Sequence, residues 1–203
     1  AMAEGGRVHR MIQRRMGADY QAEVALRYLC RTERYDLLIE GRADGIITDG
    51  EGFLTDEIKG TYRDVARMTE PAAVHLAQAR CYTYMYAFST HVSGGLMRTR
   101  MTYCNLDTEE IRYFYYEENF EALEAWFLDL VLQYRRWADM ESDWREKRLA
   151  SIRSLSFPFP YRPGQKELAG AVYRTICHKR KLFLEAPTGV GKTISTVFPS
   201  VKA

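Results

Sequence analysis

The feature that most constrains this chain is a pair of apolar, alternating segments flanking a short polar turn. Tyr35 to Thr48 and Gly52 to Lys59 surround Asp49-Gly50-Glu51. A turn of this kind between such runs signals a β-hairpin. The first arm contains Gly41-Arg42-Ala43-Asp44-Gly45, and the second ends in Asp56-Glu57-Ile58-Lys59-Gly60. Side chains at i and i+2 of a strand share a face. Glu57 and Lys59 therefore point the same way, Ile58 points into the core, and the hairpin brings Asp44 beside them. Two carboxylates converging on one point repel each other unless a cation sits between them. Hard divalent ions such as Mg²⁺ and Mn²⁺ prefer these oxygen ligands. A lysine next to such an ion can stabilise charge on a reacting phosphate or position the attacking water. The plain alternative is a surface hairpin with a solvated salt bridge.

The surrounding pattern places the hairpin in a larger layout. Val8, Met11, Ile12 and Met16 fall near helical spacing, so Gly6 to Met16 reads as a helix. Tyr20 to Cys30 alternates as a strand and completes a three-strand meander. Pro71 opens a helix running to about Phe88. Leu96 to Cys104 and Glu110 to Glu117 are two further strands. A long amphipathic helix follows from about Asn119 to Ile152, with Leu123, Trp126, Phe127, Leu130, Val131 and Tyr134 at three-and-four spacing. The expected fold class is α/β, with a mixed sheet of about five strands flanked by helices. Alternation in Tyr113-Phe114-Tyr115-Tyr116 points to sheet packing rather than base stacking. Arg145, Lys147, Arg148 and Arg153 could track a phosphate backbone or form a solvated face.

Two more signals join the hairpin. Gln78 and Tyr82 lie four apart, on one face of the helix after the third strand, and His9 closes Gly5-Gly6-Arg7-Val8-His9. The order of these motifs over roughly residues 5 to 150 resembles the RecB-like nucleases of the PD-(D/E)XK group. That resemblance implies a restriction-endonuclease-like core and a metal-dependent nuclease acting on DNA. It implies that His9, Asp44, Glu57 and the carbonyl of Ile58 hold Mg²⁺ or Mn²⁺. It makes Asp44, Glu57 and Lys59 catalytic, with Gln78 and Tyr82 shaping the DNA side of the site. Many such nucleases carry an iron–sulfur cluster on a group of cysteines. Cys30, Cys81, Cys104 and Cys177 are scattered here, so no cluster is expected.

The character of the chain changes at Phe157-Pro158-Phe159-Pro160-Tyr161-Arg162-Pro163-Gly164. Proline density of this kind makes a stiff boundary and divides the chain into residues 1–155 and 156–203. Beyond it a helix is expected from Gln165 to about His178, then a strand from Lys181 to Glu185. Next comes Ala186-Pro187-Thr188-Gly189-Val190-Gly191-Lys192-Thr193, the context of a phosphate loop. Gly189 and Gly191 let backbone N–H groups approach phosphate, Lys192 reaches the outer phosphates, and Thr193 can bind Mg²⁺. This form resembles motif I of superfamily-two helicases, and Tyr161 to Gln165 resembles the glutamine motif of DinG-like members, with Gln165 reading adenine. The resemblance implies the opening, P-loop part of a helicase motor, whose ATP use needs further lobes in a longer parent protein.

Composition sets outer bounds. At 203 residues and 46% hydrophobic, the chain can bury a real core, and its net charge of +2 neither demands nor excludes nucleic acid. No apolar run approaches the roughly 20 residues of a membrane helix. No secretory signal is visible, and the separated cysteines fit a reduced compartment, so a cytoplasmic location is expected. The function expected is a Mg²⁺- or Mn²⁺-dependent deoxyribonuclease in a nuclease–helicase fusion concerned with DNA repair or processing. The rival is a non-catalytic DNA-binding module that loads a helicase; the intact Asp44, Glu57 and Lys59 weigh against it.

Overall fold

A computed structural model describes residues 2–203, and side chains from residue 6 onward. In chain order the elements are α1 (Met2–Arg15), β1 (Tyr20–Arg31), β2 (Asp36–Asp49), β3 (Gly52–Thr61), a short 3₁₀ turn (Val65–Arg67), α2 (Ala73–Ser89), β4 (Leu96–Asn105), β5 (Ile111–Asn119), α3 (Phe120–Ser154), α4 (Gln165–Cys177) and α5 (Lys192–Lys202). No helix among the described residues is long and apolar enough to cross a membrane.

The class is α/β. One mixed sheet holds all five strands in the order β1-β2-β3-β4-β5. Short turns make β1–β2, β2–β3 and β4–β5 antiparallel, whereas β3 and β4 are parallel. A parallel pair needs a long crossover, and α2 supplies it. This arrangement is consistent with a restriction-endonuclease-like core.

Burial explains why the helices lie where they do. Tyr84 and Met85 of α2 pack with Phe120, Leu123 and Phe127 of α3 and with Leu26 and Ala43 of the meander. Tyr84 stacks on Phe127 at 4.3 Å, and Tyr28 meets Phe127 edge-on at 5.0 Å. Such aromatic pairs add roughly 0.5–1.5 kcal/mol beyond their burial. Val8 and Ile12 of α1 close over Ile58 and Cys104. Ile58 does enter the core, as its place between Glu57 and Lys59 predicts.

The chain divides into two compact units, one reaching Gln133 and the other running from Tyr134 to Ala203. The division falls inside α3 rather than at the prolines. In the second unit Phe157 stacks on Tyr161 at 4.1 Å and meets Phe198 edge-on at 5.3 Å. Lys202 Nζ donates to the carbonyls of Ile152 and Arg153 at 2.8 and 2.9 Å, near the end of α3.

One expected element is missing. Lys181 to Glu185 is not a strand, and Phe183 is 93% exposed. A strand exists only by pairing its N–H and C=O groups with a neighbour. No strand occurs in the second unit among the described residues to provide one. The tyrosines of β5 also differ from expectation. Phe114 packs edge-on against Tyr103 at 6.0 Å, but Tyr113 and Tyr115 are exposed.

Candidate metal centre and phosphate loop

The β2–β3 ladder runs from Asp49↔Gly52 to Gly45↔Asp56 and stops. Beyond that point the side chain of Asp44 takes over the backbone: its Oδ2 accepts the N–H of Ile58 at 2.7 Å. Its Oδ1 lies 3.0 Å from Nδ1 of His9, on α1. Asp44 is thus held from both flanks, with its side chain 13% exposed.

Glu57 and Lys59 share a face of β3 as expected. Lys59 Nζ donates to Glu57 Oε1 at 2.7 Å and to Gln78 Oε1 at 3.0 Å. Gln78 Nε2 in turn donates to the Tyr82 hydroxyl at 3.0 Å. The four side chains form one chain of contacts from β3 to α2. A Cβ at Gly41 would overlap the Tyr82 ring, and one at Gly45 would overlap Tyr20. The two glycines around Asp44 are therefore spaces for tyrosines.

Adjacent carboxylates on β3 meet opposite fates. Asp56 is fully buried and saturated. It accepts from Arg100 Nε and Nη2 at 2.9 and 2.8 Å, Thr102 Oγ1 at 2.5 Å and Tyr20 OH at 3.1 Å. Glu57 is only 2% exposed, yet its Oε2 has no partner. A buried carboxylate oxygen left bare costs several kcal/mol. Burial first, then the charge of Asp44, pushes the Glu57 carboxyl up to about 7, against the pull of Lys59. The hydrogen bond to Asp44 raises the pKa of His9, opposed by burial.

These features fit a divalent cation. Its charge would relieve both the bare Glu57 oxygen and the repulsion between Glu57 and Asp44. Two ligand atoms at right angles, each about 2.1 Å from an ion, lie about 3.0 Å apart, and the His9–Asp44 pair has that spacing. His9 and Asp44 face each other across the place a cation would take. Ile58 lies between Glu57 and Lys59 with its N–H committed to Asp44, leaving its carbonyl as the atom assigned by resemblance.

A residue that the alternation of β1 hides lies at the same place. Glu23 takes φ +58°, a left-handed conformation rare outside glycine. Pairs Ala22↔Gly45 and Val24↔Ala43 put it opposite Asp44. Ligand atoms of His9, Glu23 and Asp44 all lie within 4.8 Å of one another. The strands kink together here: Ala43 and Ile46, three residues apart, enter the same core cluster. Strict period-two reading fails across such a kink.

Beside Lys59, a cavity of about 760 Å³ opens at Gly60 and Thr61. Arg63, Arg67 and His75 line it, with Tyr103 bonded to His75 Nδ1 at 2.7 Å. Burial, then the charge of Lys59, lowers the pKa of His75 and favours the neutral ring.

In the second unit Gly189 and Gly191 adopt φ +81° and +76°, which only glycine takes readily. Gly191 caps α5. Lys192 Nζ folds back onto the carbonyls of Ala186 and Pro187 at 2.7 and 2.9 Å. Gln165 is 5% exposed; its Oε1 accepts from the Arg162 N–H at 2.8 Å and its Nε2 donates to the Val190 carbonyl at 2.8 Å. Arg162 also donates to the Gly189 carbonyl. Gln165 thus ties the start of α4 to the loop, while Thr193 stays exposed at the first turn of α5.

No family model matches the chain. A protein described as a probable ATP-dependent helicase from Methanocaldococcus jannaschii is 46% identical over 46 residues. That covers 22% of this chain and 7% of the helicase, so the chain matches only a small part of that protein's length. This links the chain to helicases through one short segment. Among solved structures, the crystal structure of SSO0001 is 18% identical with a TM-score of 0.38, covering 62% of this chain and 58% of that one. A likeness of that extent carries no argument.

Proposed function

We propose that residues 1–155 form a metal-dependent nuclease that hydrolyses phosphodiester bonds in DNA. In the longer parent protein it is coupled to an ATP-driven helicase. The observation that carries this reading is Glu57, a buried carboxylate with one oxygen on Lys59 and the other bare, beside Asp44. A solvated salt bridge would not bury the carboxylate or leave an oxygen unpaired. A saturated structural pair would resemble its neighbour Asp56.

His9, Asp44, Glu57 and the Ile58 carbonyl would hold Mg²⁺ or Mn²⁺. The bound ion supplies Lewis-acid polarisation of a phosphate and a bound water of lowered pKa. Lys59, fixed between Glu57 and Gln78, presents its ammonium to charge developing on the phosphate oxygens. Gln78 and Tyr82 keep that ammonium from collapsing fully onto Glu57 and orient the strand. Asp44 keeps β2 and β3 apart at the site through the Ile58 N–H. ATP belongs to the loop of Gly189, Gly191, Lys192 and Thr193, and to Gln165; the helicase similarity supports that part.

The test is digestion of end-labelled single-stranded, duplex and circular DNA. Cleavage should require Mg²⁺ or Mn²⁺, stop with a chelator and vanish in Glu57→Ala. Intact DNA under every condition, with the chain folded and metal-loaded, would leave the non-catalytic loading module as the reading.

A further inference from the structure

We propose that the cavity at Gly60 and Thr61 anchors the terminal phosphomonoester of a DNA strand, so that cutting at the neighbouring site begins from a phosphorylated end. This rests on the nuclease reading above and deepens it by naming the form of DNA that is taken.

The cavity is built into the link between β3 and α2, and that link is firmly held. Thr61 Oγ1 accepts the N–H of Arg63 at 3.1 Å, and Asn105 Nδ2, from β4, donates to the Arg63 carbonyl at 3.0 Å. Asp64 Oδ1 accepts the N–H of Ala66 at 3.0 Å and caps the 3₁₀ turn, whose Val65 is buried. The backbone of Arg63 is thus fixed on both sides, while its guanidinium has no partner among the described residues. Arg67 pairs with Asp64 at 3.2 Å, through side chains that are 88% and 52% exposed. Exposed pairs of that kind contribute little, so an anion in the cavity can take over the guanidinium.

His75 supplies a third donor of fixed orientation. Tyr103 is 3% exposed, and its hydroxyl oxygen accepts the Ala72 N–H at 3.0 Å. The buried hydroxyl proton then needs an acceptor of its own, and Nδ1 of His75 lies 2.7 Å away. A neutral ring that accepts at Nδ1 carries its proton on Nε2. That nitrogen has no other partner among the described residues, and His75 lines the cavity.

The ligand follows from these donors. A phosphomonoester at neutral pH has three acceptor oxygens and a charge of about −1.5 to −2. Two guanidinium groups and one imidazole N–H match that set, whereas a diester inside a strand offers two free oxygens and a single charge. A volume of about 760 Å³ lies in the range of small-molecule sites, so the terminal nucleotide fits with its phosphate. Gly60 directly follows Lys59, which places the anchored end next to the ammonium assigned to the reacting phosphate. The acids on the lining are directed elsewhere. Asp64 caps the turn, and the charge of Glu70 is felt at Tyr116 of β5, whose pKa is raised by burial and then by Glu70.

Binding of internally labelled single-stranded oligonucleotides to the 203-residue chain, read by fluorescence anisotropy in a chelator, tests the anchor without reference to cleavage. The oligonucleotides share one sequence and carry phosphate or hydroxyl at the 5′ or the 3′ end. Phosphate at one of the two ends should tighten binding at least about tenfold. Arg63→Gln with Arg67→Gln should bring that ratio to about one, and Arg63→Gln alone should already lower it several-fold. Both side chains are exposed, so the fold should hold. With Mn²⁺ the wild type should cut the favoured oligonucleotide progressively from its phosphorylated end. Equal binding of phosphate and hydroxyl ends, a ratio kept in the variants, or cleavage indifferent to the end overturns the anchor and leaves the nuclease reading to its own test. A phosphate preference lost in the variants, in a chain that cuts no DNA, supports the anchor and removes the nuclease reading.

Discussion

The side chain of Asp44 accepts the backbone N–H of Ile58 at 2.7 Å, where the next ladder bond between β2 and β3 would otherwise form. One carboxylate both ends the pairing of two strands and faces the site between them. Asp44→Ala should therefore lose more than metal. The Ile58 N–H would be left without its partner, at about 1–3 kcal/mol, and metal affinity should fall at least tenfold. Urea melts and Mn²⁺ calorimetry on the same variant measure the two losses separately.

Lys59 offers a cleaner separation of chemistry from binding. Lys59→Ala should reduce DNA cleavage at least about a hundredfold, because its role is stabilisation of developing charge. Mn²⁺ binding should survive, since no ligand is removed. Glu57→Ala should lose both. Undiminished cleavage by folded Lys59→Ala would sink the assigned role.

Gly41 supports the site at one remove. In Gly41→Ala the new Cβ overlaps the Tyr82 ring, which must swing away and release Gln78. The ring can move, so the stability cost should be modest, about 1 kcal/mol. Lys59 loses its steadied partner, so kcat should fall while metal affinity holds. A variant with wild-type kcat would show that the Gln78–Tyr82 contact does not position Lys59.

The pH dependence has a definite sign. Burial and the Asp44 charge raise the Glu57 carboxyl from 4.5 to about 7. The folded chain then binds a proton that the unfolded chain has released, so metal-free stability falls as pH rises between these values. The contribution of Glu57 is at most about 3 kcal/mol. His9, also raised, adds stability that is complete below about 6.5 and is lost as pH climbs through its folded value. Metal binding needs both groups deprotonated, so affinity should increase over the same range. Denaturant melts from pH 4.5 to 8 should show the decline without metal, weakened in Glu57→Gln and reversed by Mn²⁺.

The phosphate loop gives a prediction about the second unit. Lys192 is bonded to two carbonyls of its own loop, which a nucleotide must displace. Acidic and arginine partners for hydrolysis come from other parts of a motor. The 203-residue chain should therefore show no multiple-turnover ATP hydrolysis in a coupled assay. Turnover abolished by Lys192→Ala would overturn this.

Local order determined much of this protein before any folding was considered. A period of two put Glu57 and Lys59 on one face and Ile58 in the core. A spacing of four joined Gln78 to Tyr82, and the glycines before Lys192 marked the loop that precedes a helix. Each depends on neighbours in the chain, and the structure holds each of them. Tertiary structure decided what depends on distant partners. Glu23 reaches Asp44 because strand register sets it there, at a left-handed residue that strict alternation does not reveal. Both are buried, and the partners that folding brings to each leave Glu57 bare and Asp56 saturated on consecutive residues. Lys181 to Glu185 has the pattern of a strand, but a strand is a pairing, and its described surroundings give it no neighbour.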